Sequence, residues 1–107
     1  MAFGLGNSTI KKIEGCLNNN PKIEKAVLYG SRAKGNYRDG SDIDLVLIGE
    51  ELQFEDLALL ENEIDDMLLP YKFDISIYHQ INNSDLIEHI KRVGKTFFKR
   101  PESKKSS

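Results

Sequence analysis

Ala26-Val27-Leu28-Tyr29-Gly30-Ser31-Arg32-Ala33-Lys34-Gly35, followed across the loop 36–40 by Ser41-Asp42-Ile43-Asp44-Leu45-Val46-Leu47-Ile48, is the stretch that decides how this chain folds. An apolar run halts at a Gly-Ser turn and passes through a basic polar loop. It returns as a second apolar run carrying two carboxylates one residue apart. Short apolar runs bounded by turn residues read as buried strands, so the stretch reads as strand, turn, loop and strand.

On an extended strand, residues two apart share a face, with Cα atoms roughly 6.5–7 Å apart. Asp42 and Asp44 therefore aim together while Ile43 points into the opposite layer. Two like charges aimed at one spot need a proton, a basic partner or a bound cation. Oxygen-only ligands suit magnesium, which is commonly held by one or two carboxylates together with substrate phosphates. A metal held this way arrives with a nucleotide. Gly30 permits a positive φ and close backbone approach, and Ser31 offers a hydroxyl and a backbone N–H to phosphate oxygens. Arg32, Lys34 and Arg38 add positive charge. Arg32 is the one expected to reach a phosphate, against the plainer reading of a solvated basic loop.

The chain has 107 residues, 30% of them charged and 39% hydrophobic, with a formal net charge of −2. That size and balance suit one domain around one core. The slightly acidic total argues against holding nucleic acid by bulk electrostatics, although a local basic loop can still bind phosphates. Cys16, the single cysteine, has no partner for an internal disulfide and reads as a structural thiol in a cytoplasmic setting. Met1 to Gly6 is too short and too uncharged for a secretory signal, and no long apolar run follows, so neither export nor a membrane span is expected.

Residues 8 to 19 read as a helix with Ser8 or Thr9 as N-cap and Ile10, Ile13 and Leu17 on one face. Lys25 to Tyr29 is the first strand, Ser31 to Lys34 a helical turn broken at Gly35, and Asp39-Gly40 a turn signal. Ser41 reads as a group that caps or orients the acidic pair. Strand two, Asp42 to Ile48, leads to an amphipathic helix from about Gln53 to Leu68, with Glu61, Glu63, Asp65 and Asp66 on its solvated face. Lys72 to Tyr78 is a third strand on which Asp74, Ser76 and Tyr78 share a face. Asn82 to Asp85 starts a last helix with an inward stripe of Leu86, Ile87, Ile90 and Val93, stopped at Gly94. Phe97-Phe98 adds a short edge strand or packs on the core. His79 and His89, lone imidazoles, are given no chemical role. The domain is expected to span 1–98, with 99–107 a disordered polar tail.

Gly30-Ser31, ten residues, then Asp42-x-Asp44 resembles the signature of the DNA polymerase beta-like nucleotidyltransferase superfamily, and in particular its minimal nucleotidyltransferases. The likeness covers about residues 9 to 98. It implies a third acid on the next core strand, which Asp74 supplies. It further implies that Asp42, Asp44 and Asp74 are catalytic and hold magnesium, two ions by two-metal chemistry, while Gly30, Ser31 and Arg32 bind the nucleotide. The fold expected is a small α/β (α+β) domain, a mixed sheet of about four strands with helices on one face and the acids on the other. Minimal nucleotidyltransferases act with a small helical HEPN-type partner, as its antitoxin, moving AMP from ATP to a partner tyrosine. The resemblance therefore implies ATP, magnesium and such a partner. The alternatives from other classes are a non-catalytic module that neutralises the partner by contact, and a small-molecule transferase of the aminoglycoside type.

Overall fold

The computed structural model describes residues 2–38 and 40–101. Four helices and four strands alternate along the chain: α1 Asn7–Asn18, β1 Lys25–Tyr29, α2 Ser31–Lys34, β2 Ile43–Ile48, α3 Phe54–Asp66, β3 Phe73–Ile77, α4 Ser84–Val93 and β4 Lys95–Lys99. A 3-10 turn, Tyr78–Gln80, follows β3. The sheet order is β3-β2-β1-β4, with β1 antiparallel to both its neighbours and β2 parallel to β3. Parallel neighbours need a long crossover, and α3 provides it. The expected small mixed sheet of four strands is the fold.

Alternation along the strands sorts the core into two layers. Ala26, Leu28, Ile43, Leu45, Leu47, Ile75 and Ile77 meet Ile13 and Leu17 of α1 and Leu60 and Ile64 of α3. Val27, Tyr29 and Val46 point the other way and are covered by Ile90 of α4, with Leu86 and Val93 beside it. Helices therefore flank both faces of the sheet, which corrects the expectation of helices on one face alone. The cause is local. Gly94 ends α4 one residue before β4, and a side chain there would run into the Ile90 carbonyl and stand 2.7 Å from Val27 Cγ1. So short a link leaves α4 lying directly over β1. Along β2 that face reads Asp44, Val46, Ile48, so the acid end and the helix-covered end share one surface.

Several boundaries shift for tertiary reasons. α1 begins at Asn7 after Gly6, ahead of the expected caps Ser8 and Thr9. A turn precedes it in which the Leu5 N–H donates to the Ala2 carbonyl at 2.8 Å, and Leu5 is fully buried. That anchor sets where the helix starts. β2 begins at Ile43, leaving Asp42 on the lead-in, and Tyr78 belongs to the 3-10 turn. β4 continues through Lys99, past the expected domain end at 98. Arg100 then donates to the Ile23 and Asn20 carbonyls at 3.0 Å, so the chain is tied down there. The expected disordered tail otherwise falls on 102–107, which, like Asp39 of the turn signal, lie outside the described residues. Cys16 packs its sulfur 3.8 Å from that of Met67, and burial pushes the thiol up, in keeping with a structural role. No described helix is long and apolar enough to cross a membrane.

The start of α3 is clamped to the α1–β1 connection by Asp56, which is 9% exposed. Its carboxylate accepts from the Gln53 N–H at 2.8 Å, Asn20 Nδ2 at 2.9 Å and Lys22 Nζ at 3.3 Å. These donors, the Gln53 N–H foremost, hold the carboxyl below its ordinary value against the cost of burial. A depressed carboxyl contributes stability above its unfolded value of about 3.9 and loses it as pH falls through the folded one. Asp56→Asn is expected to cost about 2 kcal/mol at pH 7. Urea unfolding should show the gap from wild type narrowing as the pH is taken from 5 down to about 3.

Candidate active site

The sheet brings three separate chain segments to one rim. β1 ends at Tyr29, opposite Asp44 of β2, and Asp44 is in register with Asp74 of β3. Tyr29, Asp44 and Asp74 thus form one row across neighbouring strands, which are about 4.8 Å apart. Asp42 stands two residues before Asp44, exposed like Asp74, whereas Asp44 is half-buried. Burial, then the Asp74 and Asp42 carboxylates, push the Asp44 carboxyl above its ordinary value, and His89 works against them. Among the described residues no three His, Cys, Asp or Glu side chains already converge as a closed set of metal ligands. The three carboxylates lie close enough to feel one another, with two of them open to solvent.

Gly30 follows Tyr29 with φ 76° and ψ −157°, a region essentially reserved for glycine. A side chain there would run into Asp44 Oδ2. The glycine is therefore required twice, by its backbone angle and by the carboxylate packed against it. Ser31 opens α2, whose last turn closes on Gly35 at φ 91° with the Gly35 N–H donating to the Ser31 carbonyl at 2.9 Å. The expected Gly-Ser bend thus sits at the rim beside Asp44.

Arg32 does not join the acids. It is 3% exposed, and its guanidinium is engaged by the carbonyls of Ser41 and Phe3 and flanked by the rings of Tyr37 and Tyr71. The assignment of Arg32 to phosphate contact is corrected on that ground. A basic residue in a polar loop reads as exposed, but here the loop folds back over it. Lys34 and Arg38 remain exposed cations.

His89, given no role from sequence, lies at the site. Its Nε2 accepts the Gly30 N–H at 3.3 Å, and its ring meets Tyr29 edge-on, with centroids 6.0 Å apart and planes at 82°. A signal for it exists in the pattern: Leu86, His89, Ile90 and Val93 follow the i, i+3, i+4, i+7 spacing of a buried helical stripe. Burial of Tyr29, then the Asp74 and Asp44 carboxylates, hold its hydroxyl above its ordinary range. The buried ring floors the acid row.

Two outcomes follow from this packing. A carboxyl whose folded value is raised penalises the native state at any pH above that value, and the penalty fades as pH falls toward the unfolded one. Asp44→Asn should therefore raise the thermal midpoint by a few degrees at pH 7.5 in chelator-treated protein, with the gain shrinking toward pH 4 in calorimetry. Gly30→Ala should lower stability by about 2 kcal/mol or more, since its backbone angle alone costs roughly 1–3 kcal/mol for a residue with a Cβ. Urea unfolding of the variant is the check.

A family model described as Polymerase beta, Nucleotidyltransferase matches residues 11–103. No curated protein matches the sequence significantly. Among solved structures, a chain in a toxin–antitoxin complex with AMP-PNP superposes with a TM-score of 0.68 at 21% identity, covering 91% of this chain and 76% of that one. A chain in the complex of tri-AMPylated HEPN toxin with MNT antitoxin from Shewanella oneidensis gives 0.64 at 20% identity, covering 87% and 71%. A chain in the MntA-HepT toxin–antitoxin complex gives 0.66 at 20% identity, covering 89% and 74%. At such identities the likeness is one of fold. With the family model spanning nearly the whole sequence and the Gly-Ser bend set against an acidic row, the chain belongs to the polymerase beta family of nucleotidyltransferases.

Proposed function

We propose that this chain transfers a nucleoside monophosphate, AMP from ATP, to an acceptor hydroxyl, and that the acceptor is a tyrosine of a helical HEPN-type partner that the chain restrains as antitoxin. The observation that carries the reading is the in-register pairing of Asp44 with Asp74, closed on one side by the side-chain-free backbone of Gly30. Fold neighbours seen in toxin–antitoxin complexes, one of them with AMP-PNP and one with an AMPylated toxin, support the choice of nucleotide and partner.

The donor set fits a hard divalent cation. All three ligands are carboxylates, two are open to solvent, and Asp44 is held above its ordinary value by its acidic neighbours, a repulsion a cation relieves. Asp42, Asp44 and Asp74 would hold magnesium, as a pair of ions. When bound, these ions supply charge neutralisation at the phosphates and lower the pKa of an acceptor hydroxyl. The chain's own residues do the rest. Gly30, having no side chain, lets the Asp44 carboxylate pack against its backbone, and Ser31 presents its hydroxyl and N–H to the outer phosphates. Tyr29 and His89 keep the floor of the row closed. The acceptor oxygen attacks the α-phosphorus as the bond to pyrophosphate breaks, and the hydroxyl proton leaves toward the exposed Asp74.

The test is to incubate the chain and its co-purified partner with magnesium and labelled ATP, beside Asp42→Asn and Asp44→Asn. Label should appear on a partner tyrosine, detected by intact mass and peptide mapping, and disappear in both variants. Partner neutralisation by the variants with no label transferred at any stage would replace this reading with a contact-only antitoxin. In the same preparation, millimolar magnesium should raise the thermal midpoint of wild type and leave Asp44→Asn nearly unmoved.

A further inference from the structure

Asp42 is the one acid of the row that the sheet does not hold. The β2 ladder begins a residue later, where the Ile43 N–H donates to the Lys72 carbonyl at 2.9 Å. What precedes Asp42 is instead pinned from the side. Arg32 Nε and Nη2 both donate to the Ser41 carbonyl, at 3.1 and 3.0 Å, and Nη1 donates to the Phe3 carbonyl at 2.8 Å. The Ser41 N–H donates to the Arg38 carbonyl at 2.9 Å, and Ser41 Oγ accepts the Arg38 N–H at 2.8 Å. Every polar group of Ser41 is thereby engaged.

The peptide plane that carries the Ser41 carbonyl also carries the Asp42 nitrogen and Cα. A guanidinium whose Nε and Nη2 groups converge on that one oxygen holds it in place more firmly than a single donor does, and so limits how far the peptide can shift. The guanidinium is itself immobilised. The Tyr37 and Tyr71 ring centroids stand 5.3 and 5.1 Å from Arg32 Cζ, and the residue is 3% exposed. Freeing it to meet a phosphate would strip the half-buried Phe3 and Ser41 carbonyls of their donors. Gly4 completes the seat, since a side chain on it would crowd the Tyr37 ring and stand 3.0 Å from Arg32 Nη1.

We infer that Arg32 is a positioning residue: by clamping the Ser41–Asp42 peptide to the 2–5 turn it aims the Asp42 carboxylate into the acid row, without touching the nucleotide. The inference rests on Asp42 being a cation ligand, as proposed above.

The test uses the full chain with Arg32→Lys and Arg32→Ala, each alone and combined with Asp42→Asn. Mn2+ uptake is read by electron paramagnetic resonance, with and without α,β-methylene-ATP, and amide hydrogen exchange is read at Ser41, whose N–H donates to the Arg38 carbonyl. Both Arg32 variants should weaken Mn2+ binding about tenfold, the usual scale for losing a group that orients a ligand, and speed exchange at Ser41. In the Asp42→Asn background they should cause no further loss of Mn2+ binding. Wild-type affinity in a folded Arg32→Lys or Arg32→Ala, or losses that add fully to that of Asp42→Asn, would overturn the inference. Arg32→Lys covers the case in which Arg32→Ala does not fold, and failure of both to fold would make Arg32 a determinant of folding and overturn it as well. Should wild type take up no Mn2+, the reading of the site falls separately, and exchange at Ser41 alone decides whether the clamp holds that segment.

Discussion

Like charges held side by side are the constraint on which this molecule turns. Parallel pairing of β2 with β3 sets Asp44 and Asp74 in one row, and Asp42 follows from being two residues upstream. Left in an open loop, three carboxylates would drift apart and lose their mutual repulsion. Ladder hydrogen bonds on both sides of β2 forbid that for Asp44, which stays half-buried and resists ionisation. Strain of this kind is retained where a site has use for it.

The rest of the fold supports that row from behind and from the sides. Two packed layers hold the sheet: α1 and α3 bury one face, and α4 buries the far half of the other. α4 stops short of the acids but delivers His89, whose acceptor nitrogen takes the Gly30 N–H. The glycine is thus fixed from two directions, by a carboxylate it cannot avoid and by an imidazole that satisfies its amide. Arg32 performs the matching task on the loop side, where no strand neighbour is available.

Much of this was legible in the residue string. β1, α2 and the stop at Gly35 fall where the sequence places them, as do the start of the last helix within 82–85 and its stop at Gly94. The solvated acids of α3 and three of the four residues read as the inward stripe of α4, Leu86, Ile90 and Val93, also fall as read, because each is set by local periodicity, while Ile87 joins neither core cluster. Reading fails where a distant anchor overrides local preference. α1 starts early because Leu5 is buried, and the last strand runs through Lys99 with Arg100 tied to carbonyls of the α1–β1 connection. The roles of Arg32 and His89 escape a local reading for the same reason. A lone basic or imidazole side chain carries no mark of what will fold over it.

What the sequence determined unaided is the chemistry on offer: a glycine-serine bend, a pair of carboxylates two apart and a third at the head of a later strand, on elements whose period declares strand or helix. Those features follow from side-chain type and spacing alone, so they survive without a partner segment. Tertiary structure alone decided which groups meet. Strand order put Asp74 beside Asp44, the short link at Gly94 laid α4 over the acid-bearing face, and the folded-back loop turned a cation into a backbone clamp. The reason is that hydrogen bonding and burial between segments far apart along the chain depend on how the whole core closes, and no local pattern encodes that.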